Sequence, residues 1–170
     1  MGSGLVTEAV AVERPHRIAV LGAANASETD YEVASSLGKA LAALGAVVLC
    51  GGHGGVMEAV ARGASEAGGI TIGILRGSDA ASANPWIRIP LATGMGEARN
   101  ALVVGGAEAA VAVGGEWGTL SEIAMALKMG IPVGTLGTPP ADGLELPALD
   151  GATHAARWAV DQAALFRAAK

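Results

Sequence analysis

Ala46-Val47-Val48-Leu49-Cys50-Gly51-Gly52-His53-Gly54-Gly55-Val56 changes character twice within one short span. Its opening apolar run, with no polar residue inside it, fits a strand buried on both faces, as in a parallel sheet. Glycines on either side of His53 then interrupt the chain. From 56 to 68 the apolar positions Val56, Ala59, Val60, Ala64 and Ala67 share one helical face, and Gly68-Gly69 ends the pattern. Strand, glycine loop and helix in direct succession form the leading half of a βαβ unit.

The same beat runs outward in both directions. Upstream, Ile18-Ala19-Val20-Leu21 reads as a strand ending at Gly22, and 31–44 as a helix with Asp30 at its N-cap and Gly45 at its stop. Downstream, strands are predicted at 70–75, 86–91, 109–113 and 132–136, helices at 97–105 and 119–129, and a final helix at 153–169 after a loop over 138–150. The stretch 76–85 reads as irregular. Short crossovers between apolar strands imply a parallel sheet with helices on both faces, a Rossmann-like doubly wound α/β domain. The organisation predicted is one domain over 17–170 preceded by a flexible segment over 1–16.

Composition narrows the function classes. Of 170 residues, 51% are hydrophobic and 16% charged, which excludes a disordered chain. A net charge of −5 and the lack of any Lys/Arg run leave no basic face for nucleic acid. The uncharged stretch 40–57 is interrupted by Gly45, Gly51, Gly52, Gly54 and Gly55 and reads as helix end, strand and loop rather than a membrane span. No basic-then-apolar leader opens the chain, and the single Cys50 cannot form an internal disulfide, so a cytoplasmic setting is expected.

Parallel sheets bind ligands beyond the carboxyl ends of their strands. Three loops fall at that edge: 22–27, 51–55 and 114–119. Glycine lets an anion approach backbone amides, and the helix that follows offers free N–H groups and partial positive charge, so a phosphate is the expected guest. Neither Gly-Gly loop is a Walker A motif, because no Gly-Lys-Ser/Thr follows, and Gly22-Ala23-Ala24-Asn25 is not a dinucleotide fingerprint. Gly54-Gly55-Val56-Met57-Glu58 and Gly118-Thr119-Leu120-Ser121-Glu122 echo one another as Gly-x-x-x-Glu. An acid in a first helical turn also serves the helix dipole, so the echo alone does not establish a site.

Three motifs in order carry a more specific likeness. Cys50 to Ala64, Gly94-Met95-Gly96-Glu97-Ala98-Arg99-Asn100, and Gly114-Gly115-Glu116-Trp117-Gly118-Thr119-Leu120-Ser121-Glu122 resemble the lonely-guy (LOG) superfamily, and within it the molybdenum cofactor carrier branch. The resemblance covers roughly 17–136. It implies a Rossmann-like fold, a homodimer or larger assembly, and a nucleotide or molybdopterin-type phosphate at the glycine loops, with no resident cofactor required. The ligand-binding set it implies is Gly22, Gly51, Gly52, His53, Gly54, Gly55, Met57, Arg99, Asn100, Gly114, Gly115, Glu116, Trp117, Gly118, Thr119 and Glu122. In the superfamily's phosphoribohydrolases, Pro-Gly-Gly-x-Gly-Thr-x-x-Glu and an Arg-Lys pair release the base from a nucleoside 5′-monophosphate. Arg99, Gly115, Gly118, Thr119 and Glu122 match that pattern, and Arg99 and Glu122 would be the catalytic pair. Gly114 replaces the proline, Glu116 a glycine and Asn100 the lysine, and loop 51–55 is one residue shorter. Loss of a cation and gain of an anion favour binding over turnover, with hydrolysis as the alternative.

Several residues support two readings. Glu122 stabilises either a sugar cation or only its helix N-terminus. Trp117 stacks on a ligand ring or packs against its own loop. Arg76 and Arg88 reach a phosphate tail or stay on the surface. Cys50 reads as a small hydrophobe, and three dispersed histidines give no metal site. The helices at 97–105 and 119–129 are apolar nearly all round, which points to a dimer packed through them.

Overall fold

The computed structural model describes residues 14–170. Its seven-stranded sheet is parallel throughout, with spatial order β4-β3-β2-β1-β5-β6-β7. In chain order the elements are β1 (Arg17–Gly22), α1 (Glu28–Ala43), β2 (Val47–Cys50), α2 (Val56–Glu66), β3 (Ile70–Leu75) and β4 (Ile89–Ala92). There follow α3 (Asn100–Gly105), β5 (Ala109–Val113), α4 (Trp117–Lys128), β6 (Val133–Leu136), β7 (Ala148–Leu149) and α5 (Gly151–Ala168). Strand order reverses between β1 and β5, whose register runs from Ile18 opposite Ala109 to Gly22 opposite Val113. That reversal is the switch point where open α/β sheets form their clefts.

Strand alternation sorts the core into two layers. Ile18, Val20, Val48, Val111 and Val113 face α1, α2 and α5, while Ala19, Leu21, Ala110 and Ala112 face α3 and α4. Helices α1 and α2 approach to backbone contact. A Cβ on Gly63 would collide with the Ser35 carbonyl, and one on Gly38 with the Val60 carbonyl. The second layer is thinner and leaves Leu102, Leu127 and Met129 exposed, the last two at 47%.

Several predicted boundaries shift for local reasons. Helix α1 is capped by Ser27, not Asp30: the Asp30 backbone N–H donates to Ser27 Oγ at 3.1 Å, and that hydroxyl donates to Asp30 Oδ2 at 2.8 Å. The predicted helix at 97–105 divides into a 3-10 turn at Gly96–Arg99 and α3. Strand β4 starts at Ile89 rather than 86, and the loop after β6 contains the short β7, unforeseen in the sequence. Helix α4 begins at Trp117, two residues early, which places Glu122 in its second turn. The first-turn dipole reading of Glu122 is therefore corrected.

Of the segment expected to be flexible, 1–13 lie outside the described residues. Arg14 to His16 are tied down: Arg167 donates to the Arg14 and Pro15 carbonyls, and Val47 N–H donates to the His16 carbonyl. Glu108 anchors this corner, accepting from Arg167 Nε at 2.7 Å and from the Arg17 backbone N–H at 3.1 Å. Burial would raise its pKa, but these hydrogen bonds and that from His16 prevail and hold it down at about 2. No described helix is long and apolar enough to cross a membrane.

Candidate functional site

A cleft of about 180 Å3 opens at the carboxyl ends of β1, β2 and β5. Its floor is built at the junction of the 3-10 turn and α3, where Arg99 and Asn100 stand together, 6% and 5% exposed. Room for the guanidinium comes from the glycine loop: a Cβ on Gly51 would overlap Arg99 Nη1 and crowd Met57 Sδ. Here the glycine serves a close approach between protein groups. The opposite wall is α4, which brings Thr119 and Glu122 inward, one helical turn apart.

Arg99 Nη1 lies 3.8 Å from Glu122 Oε1, beyond hydrogen-bond length. Among the described residues, Arg99 Nε and Nη1, His53 Nε2 and Asn100 Oδ1 are buried with no hydrogen-bond partner. Burial drives the Glu122 pKa up to about 7, Arg99 pulling it back and Glu97 adding to the rise. Burial also lowers His53 below its usual 6.5, helped by the charges of Arg99 and Arg76, with Glu97 acting against them. Both effects favour the neutral imidazole. At the rim, Arg76 Nη1 and Glu97 Oε1 pair at 3.2 Å.

The sequence-derived residues divide. Gly22, Gly51, His53, Met57, Arg99, Asn100, Glu116, Gly118, Thr119 and Glu122 line the cleft. Gly52, Gly54, Gly55, Gly114 and Gly115 do not line it; a Cβ on Gly55 would strike the Ala23 carbonyl, and one on Gly115 the Thr119 side chain, so these two serve packing. Trp117, 85% exposed, neither lines the cleft nor packs into its loop. Ala23, Ala24 and Glu97 join the lining although the sequence does not mark them as ligand-binding, and Arg76 reaches it whereas Arg88 does not. The signal that could find Glu97 is its place inside the Gly94 to Asn100 motif. Cys50 is buried, its thiol pushed up to about 11 by burial against the lowering effects of the Gly52 backbone and Arg99, and it is not offered to the cleft. Among the described residues no group of three or more His, Cys, Asp or Glu side chains gathers as a metal site would.

A parallel sheet with a built cleft at its switch point, floored by a buried arginine, defines a Rossmann-like α/β domain. Residues 15–163 match the model of the SLOG cluster4 family, and the chain belongs to that family. It is 44% identical over 124 residues to an uncharacterized protein of Archaeoglobus fulgidus, covering 72% of this chain and 81% of that one. The molybdenum cofactor binding protein of the phototrophic bacterium Rippkaea orientalis is similar with TM-score 0.80 at 33% identity, covering 86% of this chain and 96% of that chain. The molybdenum cofactor carrier protein of Chlamydomonas reinhardtii is similar with TM-score 0.80 at 34% identity, covering 89% and 99%. The likeness read from the three motifs, including its carrier branch, is borne out.

Proposed function

We propose that the chain binds a small phosphorylated ligand, a nucleotide or a molybdopterin-type cofactor, in this cleft and carries it without consuming it. One observation carries the reading: Arg99 is almost fully buried at the cleft floor with Nε and Nη1 unpartnered among the described residues. A guanidinium held out of water with unused donors is costly until an acceptor arrives. The phosphate belongs at the start of α4, where Gly118 and Thr119 line the cleft and no side chain caps the helix. Free N–H groups and the helix dipole favour an anion there. Nothing lies within 4 Å of a Cβ built on Gly118, so its backbone is open to approach. The two relatives named for molybdenum cofactor support a pterin as cargo, and the orphaned Arg99 donors fit its oxygen acceptors.

The Arg99 and Glu122 pair favours a second reading, hydrolysis of a nucleoside 5′-monophosphate to free base and ribose 5-phosphate. A carboxyl with a pKa of about 7 can take a proton from water as the water oxygen bonds to the anomeric carbon and the bond to the base nitrogen breaks. The carboxyl then passes that proton to the departing base nitrogen, so the two hydrogens of water end on the sugar hydroxyl and the base, and Arg99 steadies the negative charge that develops on the leaving base. Asn100 in place of the lysine and Glu116 in place of a glycine support the carrier instead. Incubation with AMP and chromatography for free adenine tests the choice: binding without product supports the carrier, and steady turnover lost in Glu122→Ala supports the enzyme. We further propose a homodimer through α3 and α4, supported by the exposed Leu102, Leu127 and Met129, in a cytoplasmic setting without nucleic acid or membrane as partner.

A further inference from the structure

Which end of the Asn100 amide is left without a partner follows from its neighbour. Ser121 Oγ donates to the Gly118 carbonyl at 2.7 Å, and Asn100 Nδ2 donates to Ser121 Oγ at 3.5 Å. A hydroxyl has one proton, and here it is committed to Gly118, so Ser121 can only accept from the amide. The Asn100 NH2 is thereby turned toward α4 and its carbonyl oxygen is left over. That oxygen, Oδ1, is buried without a partner among the described residues, on a side chain 5% exposed that lines the cleft.

Arg99 and Asn100, both lining the cleft, therefore hold unpartnered donors and an unpartnered acceptor, and the Glu122 carboxyl lies 3.8 Å from Arg99 Nη1. A dianionic phosphate would satisfy Arg99 but would press its oxygens against the Asn100 carbonyl and Glu122. A hydroxyl, an amino group or a ring N–H beside an acceptor atom satisfies both sides. Resting on the phosphate placement proposed at α4, we infer that Asn100 is a specificity-determining residue that admits to the cleft floor a neutral N–H or O–H donor of a monophosphorylated ligand and excludes a second anionic group. The relay from Asn100 through Ser121 to Gly118 holds this selectivity by keeping the amide from flipping, and it ties the floor to the helix start proposed for the phosphate.

The donor comes from the ligand's ring or from its sugar, and three probes separate the sources. AMP carries both kinds of donor, purine riboside 5′-monophosphate lacks the exocyclic amino group, and 2′,3′-dideoxy-AMP lacks the ribose hydroxyls. Calorimetric titration of the wild-type protein is expected to show one analogue binding roughly tenfold to a hundredfold more weakly than AMP, because a buried acceptor left unpaired penalises the ligand without the donor. Asn100→Leu is expected to bring AMP down to that analogue. Ser121→Ala, at an exposed position on α4, leaves the fold intact and is expected to narrow the gap by releasing the amide. Three equal affinities, or discrimination that persists in both variants, overturn the inference and leave the phosphate reading standing. Inorganic phosphate bound as tightly as AMP overturns it in the same way. No binding by any of the three nucleotides or by phosphate overturns both.

Discussion

Arg99 Nη1 stands 3.8 Å from Glu122 Oε1, and both side chains are less than one-tenth exposed, so the cleft floor holds a charge pair too long to be a hydrogen bond and too dry to be screened by water. Such an arrangement makes the state of the carboxyl sensitive to pH. Its partner keeps Nε and Nη1 without a hydrogen bond among the described residues.

The Glu122 carboxyl is raised from 4.5 to about 7, chiefly by burial. A raised carboxyl contributes stability that is complete below pH 4.5 and is lost as pH climbs through about 7. Glu122→Gln removes that loss. Thermal and urea unfolding are expected to find the variant and wild type alike at about pH 4, with the variant more stable at about pH 8 by about 3 kcal/mol. Equal stabilities at the higher pH would contradict the assignment.

Glu108 behaves with the opposite sign. Held down at about 2, it contributes stability that is full above pH 4.5 and is lost as pH falls toward 2. Glu108→Ala leaves the Arg17 backbone N–H and the inner face of Arg167 without their acceptor, and is expected to cost about 2 kcal/mol near neutral pH. Hydrogen exchange should rise selectively in β1 and the end of α5. An unchanged melting temperature would remove Glu108 as the anchor of that corner.

Two glycines should respond in opposite ways. Gly63→Ala forces a Cβ into the Ser35 carbonyl and is expected to lower stability by about 1–3 kcal/mol while the α1–α2 contact opens. Gly118→Ala meets nothing within 4 Å and leaves stability essentially unchanged, but its methyl would stand in the approach proposed for the phosphate, so AMP affinity should fall at least tenfold. Paired melting and titration curves check both. A Gly118→Ala protein that binds AMP normally would move the phosphate away from α4.

Leu102, Leu127 and Met129 are exposed apolar side chains on the thinner helical layer. Light scattering after size exclusion is expected to give a dimer at micromolar concentration, and Leu102→Glu with Leu127→Glu a monomer of unchanged helicity. A monomeric wild type would contradict the proposed interface.

Periodicity reads the sheet well because the central strands are short, mostly apolar runs between polar or glycine boundaries. Ile70–Leu75 and Ala109–Val113 fall where those runs predict strands. Helix starts are less visible, since Ser27 and Asp30 are both good caps and only the reciprocal hydrogen bonds decide between them. In the site, motif spacing is enough to find Arg99, Thr119 and Glu122. The position of Arg76 is open in the sequence because its approach depends on how the loop after β3 returns to the sheet edge, which no local period encodes. Trp117 sits in a glycine loop that suggests a ligand, yet the first position of α4 turns it into solvent. The sequence reads Gly51 as room for a phosphate, and the structure fills that room with the protein's own guanidinium.

The most direct test of ligand binding at this cleft is a nitrogen-edited NMR titration of the labelled protein with AMP, followed in the backbone amides and the arginine Nε–H signals. Saturable shifts are expected at Gly118, Thr119 and the Arg99 Nε–H, while arginines outside the cleft, such as Arg62, keep their signals in place. Shifts confined to the α1–α2 surface around Tyr31 and Arg62, or none at AMP concentrations in the millimolar range, would contradict it.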